Sequence, residues 1–218
     1  MITPDQLRAG VRRLTLSSIA LFVVASPAAA QTATPTGKWR LTAISGGLAH
    51  PSALVEDAVG GSDTRLSPGA TFGIDVQYTA FSLGAIYGGV AGSFSSLEHG
   101  ANLGVAAGPG SSGATLILGT AGVLLEASDW FANIRPTLRL GAGVKYYNFT
   151  TEGASSYASP TADIGAGFRG GAGAIEVAGE MRVMPSAFDQ GKLPLRGLAP
   201  QDQRQLDVLF TVGVTVRP

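Results

Sequence analysis

The chain of 218 residues contains no cysteine, so disulfide staples and thiolate metal sites are both excluded, and stability must come from packing and hydrogen bonding. Two histidines give no basis for a zinc site. Charge of either sign is scarce and balanced, with 15 Lys and Arg against 15 Asp and Glu, which removes any nucleic-acid surface driven by bulk charge. Long apolar runs are also missing: after residue 30, Gly, Thr or a charge interrupts every apolar stretch before it reaches the roughly 20 residues a spanning helix needs. Mean hydropathy is nevertheless +0.25, and 14% of residues are charged against about a quarter in ordinary soluble domains. Excess apolar character without a long apolar helix points to a membrane β-barrel, whose spans are short and alternating.

The first thirty residues read as a secretory signal peptide. Arg8, Arg12 and Arg13 precede an apolar run over 14–25, and Ser26-Pro27-Ala28-Ala29-Ala30 supplies the small residues of a cleavage site. The run is too short for a membrane anchor. Cleavage after Ala30 is expected, leaving a short periplasmic leader over 31–37 and a barrel over 38–218.

From residue 38 onward, segments of period two recur, separated by turn residues. The clearest, 70–78, sets Phe72, Ile74, Val76 and Tyr78 on one face and Thr71, Gly73, Asp75 and Gln77 on the other. Segments 137–147, 174–184 and 206–216 alternate as clearly, with Leu138, Val177 and Val212 opposing Arg139, Glu176 and Asp207. Segments 38–47, 81–94 and 161–168 are diluted by Ala and Gly, and 115–126 is apolar on both faces, which leaves its phase open. The connections alternate between long and short, with tight turns expected near Thr79-Ala80, Ala127-Ser128-Asp129 and Gly170-Gly171-Ala172-Gly173, as bacterial barrels require. An even strand count puts both termini on the periplasmic side. Pro51, Pro68, Pro109, Pro160, Pro185, Pro194 and Pro200 are expected in the long loops or at their borders, and Pro136 at the start of the fifth strand, because a closed barrel has no free edge to tolerate a missing N–H. The expected fold is all-β, an eight-stranded antiparallel up-and-down transmembrane β-barrel.

Alternation alone does not say which face is inside, since a lipocalin-like soluble barrel uses the same pattern inverted. The polar face carries, beside its charges, Gly73, Gly84, Gly88, Gly141, Gly143, Gly165, Gly167 and Gly213, as expected where side chains crowd a narrow lumen. With that face inward, the lumen holds Lys38, Arg40, Asp75, Arg139, Lys145, Asp163, Arg169, Glu176, Glu180, Arg182 and Asp207, six positive and five negative. Buried charges need partners, and an eight-stranded interior is just wide enough for side chains, so a plug of ion pairs is expected rather than a channel. Aromatics gather near strand ends, with Trp39, Tyr78, Phe81, Trp130, Phe131 and Phe168 at the periplasmic rim and Phe72, Phe94, Tyr146, Tyr147 and Phe149 toward the outer rim, as two interfacial girdles.

The alternating spans, the loop lengths and the signal peptide resemble the small outer-membrane proteins of the OmpA/OmpX type, over essentially the whole mature chain. Part of the last strand is similar to that family's C-terminal assembly signal: Thr211, Gly213 and Val216 fit it, while Pro218 stands where an aromatic is expected. The resemblance implies the bacterial outer membrane, with its lipid and lipopolysaccharide around the wall and the barrel-insertion machinery as an assembly partner.

Motifs that carry chemistry are weak. Gly165-Ala166-Gly167-Phe168-Arg169-Gly170 matches G-x-G-x-x-G, but that fingerprint needs a following helix in a βαβ unit. Ser95, Ser96, Glu98 and His99 supply the residue types of a Ser-His-acid set, yet such a set must converge in space, and four near-contiguous residues entering a loop read as a solvated edge. His50 reads as a loop residue in the same way. Glu56, Asp57 and Asp63 lack the spacing of a calcium loop. Asn148-Phe149-Thr150 is a chance match to a glycosylation sequon. The functional expectation is a non-enzymatic barrel without cofactor or metal, which contributes to outer-membrane integrity or contacts an extracellular ligand through its long loops. A lipid-modifying enzyme (lipid A acyl hydrolase or transferase) and a narrow small-solute pore are the alternatives.

Overall fold

A computed structural model describes residues 38–54, 64–98, 113–127, 133–150, 153–193 and 202–217. The signal peptide, the leader, Glu56, Asp57, Asp63, His99, Trp130, Phe131 and Pro218 lie outside the described residues. The strands in chain order are β1 (Trp39–Ala49), β2 (Arg65–Leu66), β3 (Gly69–Phe81), β4 (Gly84–Glu98), β5 (Gly113–Glu126), β6 (Ile134–Phe149), β7 (Tyr157–Ala172), β8 (Ile175–Asp189) and β9 (Asp202–Val216). Leaving aside the two-residue β2, which pairs with the end of β4, each strand pairs antiparallel with its neighbour in the chain, and β1 pairs with β9 to close the sheet. The molecule is an eight-stranded up-and-down barrel with no free edge.

The start of β1 and the end of β9 lie at one end, the turn end, together with the tight connections at Ser82-Leu83 and Gly173-Ala174. Gly173 has φ 70°, a left-handed conformation in which a Cβ would be strained. The expected turn at Thr79-Ala80 is instead strand, continued to Phe81 through an irregularity in the β3–β4 register.

Several strands run to 15 or 16 residues, longer than the roughly 9–11 that cross a bilayer at a tilt. The extra length is taken up at the opposite, loop end, and it draws Pro160 and Pro185 into β7 and β8 rather than leaving them in loops. The ladder there accommodates them: β7 and β8 pair at Ile164–Val183 and next at Thr161–Ser186, with a gap between. Side chains fill in, Thr161 Oγ1 donating to the Pro185 carbonyl at 2.9 Å and Ser159 Oγ to that of Ala187 at 2.6 Å.

Outward side chains are apolar, with Leu41, Ile74, Val90, Leu140, Val177 and Phe210 each 46–55% exposed, whereas Asp75, Arg139, Lys145, Asp163 and Asp207 point inward at 0–2%. A polar inside and apolar outside reverse the order of a water-soluble protein, and hydrocarbon is the surrounding such a wall needs. The lipocalin-like inversion is thereby rejected.

Strand β4 has the opposite phase to the one expected. Tyr87, Ala91, Ser93, Ser95 and Leu97 face inward and Ile86, Val90 and Phe94 outward, so Gly88 faces lipid, and Gly84 lies under the Phe81 ring rather than in the lumen. The mid-strand aromatic Tyr87, which finds polar partners inside, sets this phase. Strand β5 buries Leu116, Leu118 and Leu124 and exposes Ile117 and Leu125. It is apolar on both faces because, toward the loop end, the lumen itself becomes apolar: Leu48, Leu54, Leu66, Leu97, Leu116, Tyr147, Phe149, Met184, Phe188 and Leu209 form one buried cluster there.

Candidate functional site

Inward-facing positions deliver charge to the lumen in tiers. At the turn end, Glu126 from the last position of β5 accepts from Arg169 Nη1 at 2.8 Å and from Arg40, while Glu176 accepts from Arg135 and Arg217. In the middle, Arg139 donates from Nε to Glu180 at 2.8 Å and from Nη2 to Asp75, and its Nη1 lies 3.7 Å from Asp163. Arg182 grips Asp163 bidentately, Nε to Oδ1 at 2.9 Å and Nη2 to Oδ2 at 2.7 Å, the fork geometry that suits guanidinium and carboxylate. Tyr87 Oη donates to the same carboxylate at 2.7 Å, and its ring lies 4.0 Å from the Arg139 guanidinium carbon. Gly141 makes room for that phenol, since a Cβ there would stand 2.1 Å from Tyr87 Oη. The cavity beside Thr42, Gln77, Arg139 and Glu180 measures about 20 Å³, space for a single water.

Above this tier Lys145, 0% exposed, donates to Asp207 Oδ2 at 2.6 Å, to the Met184 carbonyl at 2.6 Å and to Ser186 Oγ at 2.9 Å. The other oxygen of Asp207 lies 2.7 Å from His50 Nδ1, and His50 Nε2 lies 3.3 Å from Ser95 Oγ. In a neutral imidazole facing a carboxylate, Nδ1 carries the proton and donates to Asp207, which leaves Nε2 to accept from the Ser95 hydroxyl. The segment after β1 folds inward over these groups: Gln205 Nε2 donates to the Ala53 carbonyl at 2.6 Å, and the Leu206 amide to Ser52 Oγ at 3.0 Å. The apolar cluster then closes the mouth, with Phe188 edge-on to Tyr147, Phe149 and Tyr157 at centroid distances of 5.4, 6.1 and 5.8 Å.

Of the side chains expected in the lumen, Arg40, Asp75, Arg139, Lys145, Asp163, Arg169, Glu176, Glu180, Arg182 and Asp207 lie inside the barrel and are brought together in these tiers. Lys38 is a correction. It precedes β1 at the rim and is exposed, although its carbonyl still accepts from the Thr79 amide of β3. Tyr147 is a second correction: it is 0% exposed and points inward against Phe149 and Phe188, while its neighbour Tyr146 faces outward at 40%. Adjacent residues of a strand cannot share a face. Phe149 is inward for the same reason. Trp39 and Tyr78 pair at 4.8 Å between ring centroids near the turn end, where Phe81 and Phe168 are also exposed.

Glu126, Arg135 and Arg217 join the network without having been expected there, since each stands at a strand terminus where alternation fades. His50 is the larger omission. Read alone it is a loop histidine, and nothing in one sequence marks residues 50, 95 and 207 as neighbours. Of the near-contiguous candidates, Ser95 meets a histidine, His50, and Ser96 faces outward and pairs through its backbone with Ser67.

No family model matches the chain, and no curated protein does. Solved structures to which it is similar include Ail, the attachment invasion locus protein of Yersinia pestis, at 12% identity and TM-score 0.48, covering 82% of this chain and 99% of that one. Another is Neisserial surface protein A (NspA), at 13% identity and TM-score 0.47, covering 83% and 97%.

Proposed function

We propose that this chain is a bacterial outer-membrane barrel built as a closed wall element, which contributes to envelope integrity and offers its loop end as a contact surface. In that setting both termini and the tight turns face the periplasm, outer-membrane lipid and lipopolysaccharide surround the apolar belt, and the barrel-insertion machinery places it. The observation that carries the reading is the double closure of the lumen, by paired charges along its length and by an apolar cap at the loop end. Moving a solute ion past Arg139 and Arg182 means breaking pairs that are each costly to separate, and then parting a packed aromatic cluster. A narrow solute pore is therefore the less favoured reading.

Planar bilayers containing the full chain are expected to show no stable unitary conductance. Reproducible single-channel steps from the folded protein refute the closed-wall reading. Deleting the gene is expected to sensitise cells to large antibiotics that an intact outer membrane excludes, and re-expression to reverse it.

A further inference from the structure

We propose that Ser95, His50 and Asp207 are a nucleophile, base and positioning acid, and that the loop end of this barrel hydrolyses carboxylic esters with an apolar acyl chain. This activity asks the apolar cap to part for a substrate, whereas the charged tiers below it, which also close the lumen to solutes, stay as they are.

Three observations carry it. The first is connectivity, Ser95 Oγ to His50 Nε2 at 3.3 Å and His50 Nδ1 to Asp207 Oδ1 at 2.7 Å. That is the order of contacts in which a serine is activated, recognised by geometry rather than by chain position. Lys145 on the far oxygen of Asp207 holds that carboxylate in place against the imidazole.

The second is unspent hydrogen-bonding capacity beside the nucleophile. Ser93, one inward step below Ser95 on β4, and Thr71, paired with Ser93 across the β3–β4 ladder, are each 0% exposed, and their hydroxyls have no partner. An inward step is about 7 Å along a strand, so these two hydroxyls lie one level below the nucleophile on the same inner face. Buried hydroxyls left unpaired are costly, and these two are open to a polar group of a bound substrate. Gly69, opposite Ser95, keeps the space clear, since a Cβ there would stand 2.4 Å from Ser95 Oγ.

The third is the lining. Leu97 follows Ser95 on the same face, Leu48 precedes His50 likewise, and Leu54 and Leu66 complete a dry wall. An acyl chain is the substrate feature that such a wall takes up. Ser95 is 9% and His50 6% exposed, so a substrate enters as the strap over 51–54 lifts from β9.

In the reaction Ser95 Oγ attacks the ester carbonyl while its proton passes to His50 Nε2. The tetrahedral oxyanion collapses, the ester C–O bond breaks, and the alcohol leaves with the proton from His50. Water, deprotonated by the same nitrogen, then attacks the acyl-serine; the acyl–Oγ bond breaks, Ser95 Oγ takes the proton back from His50, and the carboxylic acid leaves. Asp207 holds the ring so that Nε2 faces the serine.

The test uses the full chain folded in phosphatidylcholine vesicles, its fold checked by shifted gel mobility of the unheated protein. A small alkyl fluorophosphonate is expected to phosphonylate Ser95, located by peptide mass spectrometry, and p-nitrophenyl butyrate is expected to be hydrolysed. Ser95→Ala abolishes both, and His50→Gln lowers both at least tenfold. Ser96→Ala leaves both unchanged. Asp207→Asn lowers the maximal labelling rate but leaves the half-saturating probe concentration unaltered, a split that a merely structural loss does not produce. Folded wild-type protein without adduct at Ser95 overturns the proposal, as does ester hydrolysis that survives in Ser95→Ala.

Discussion

Replacing Arg139 by Met tests whether the lumen is held by compensated charge. Arg139 is 1% exposed and its guanidinium serves Asp75 and Glu180 directly, with Asp163 at 3.7 Å. Asp163 keeps Arg182 when Arg139 is lost. Asp75 and Glu180, with side chains 3% and 13% exposed, are left as buried carboxylates without their cation. Removing one partner of a buried pair costs about 3–5 kcal/mol, chiefly through the charge left behind. The cation–π contact with Tyr87 falls inside that figure, at about 0.5–2 kcal/mol. Arg139→Met is therefore expected to lose about 3–5 kcal/mol, roughly two to four powers of ten in the folding equilibrium.

The decisive comparison is with Asp75→Asn/Arg139→Met/Glu180→Gln, which removes the whole ionic set and leaves no uncompensated charge. Neutral groups of similar volume commonly match or exceed a buried ionic cluster in stability, so this triple variant is expected within about 1 kcal/mol of the parent or above it. Urea unfolding in lipid vesicles, followed by tryptophan fluorescence and by gel mobility, measures both. If the single substitution costs less than about 1 kcal/mol, or if the triple is as unstable as the single, the compensation argument fails.

Three further outcomes follow from the wall and the cap. Leu140→Arg puts a cation on the lipid face at mid-strand and is expected to cost about 2–4 kcal/mol, whereas Val216→Arg at the rim costs about 0–1 kcal/mol; equal costs in the same unfolding assay contradict the belt. Gly141→Ala drives a Cβ to within 2.1 Å of Tyr87 Oη and 2.4 Å of the Ala121 carbonyl, with an expected loss of about 1–3 kcal/mol. Gly88→Ala, with nothing within 4 Å of its added carbon, stays within about 0.5 kcal/mol. Phe188→Ala removes the ring on which Tyr147, Phe149 and Tyr157 converge, at about 3–5 kcal/mol, yet the barrel stays non-conducting in planar bilayers because the charged tiers below are untouched.

The barrel was legible because the strands that matter most repeat polar and apolar residues at period two, and because Arg139 and Asp207 share their inward face with Gly141, Gly143 and Gly213. What escaped has a common physical cause, the weakening of alternation near strand ends. Lys38 sits one residue before the wall, Tyr147 follows Tyr146 so that either is a fair girdle candidate, and Pro160 and Pro185 look like loop markers until their ladder gap is seen. Strand β5 carries leucine on both faces and offers no phase at all. The His50, Ser95 and Asp207 cluster is illegible for a different reason: closing the barrel through β1 and β9 makes neighbours of residues 157 positions apart, and sequence periodicity contains no information about closure.

The same loss of alternation has a positive meaning along each strand. In the lipid zone polarity is the one property that distinguishes inside from outside, and a slip of one residue would turn Arg139, Lys145 or Asp207 toward hydrocarbon. A charged lumen is therefore what pins the register there. Past the hydrocarbon the outer surface meets water, and the preference reverses. On β6, Val144 faces out and Lys145 in, but four residues further along Asn148 faces out and Phe149 in. On β4 the exposed Ser96 is followed by the buried Leu97, and at the loop end of β9 it is Arg204 that is exposed. The loop end of the barrel is thus packed as an ordinary soluble core on a membrane-spanning stem whose polarity is inverted. His50, Ser95 and Asp207 occupy the junction, the level at which a group can be buried, polar and next to an apolar wall at once.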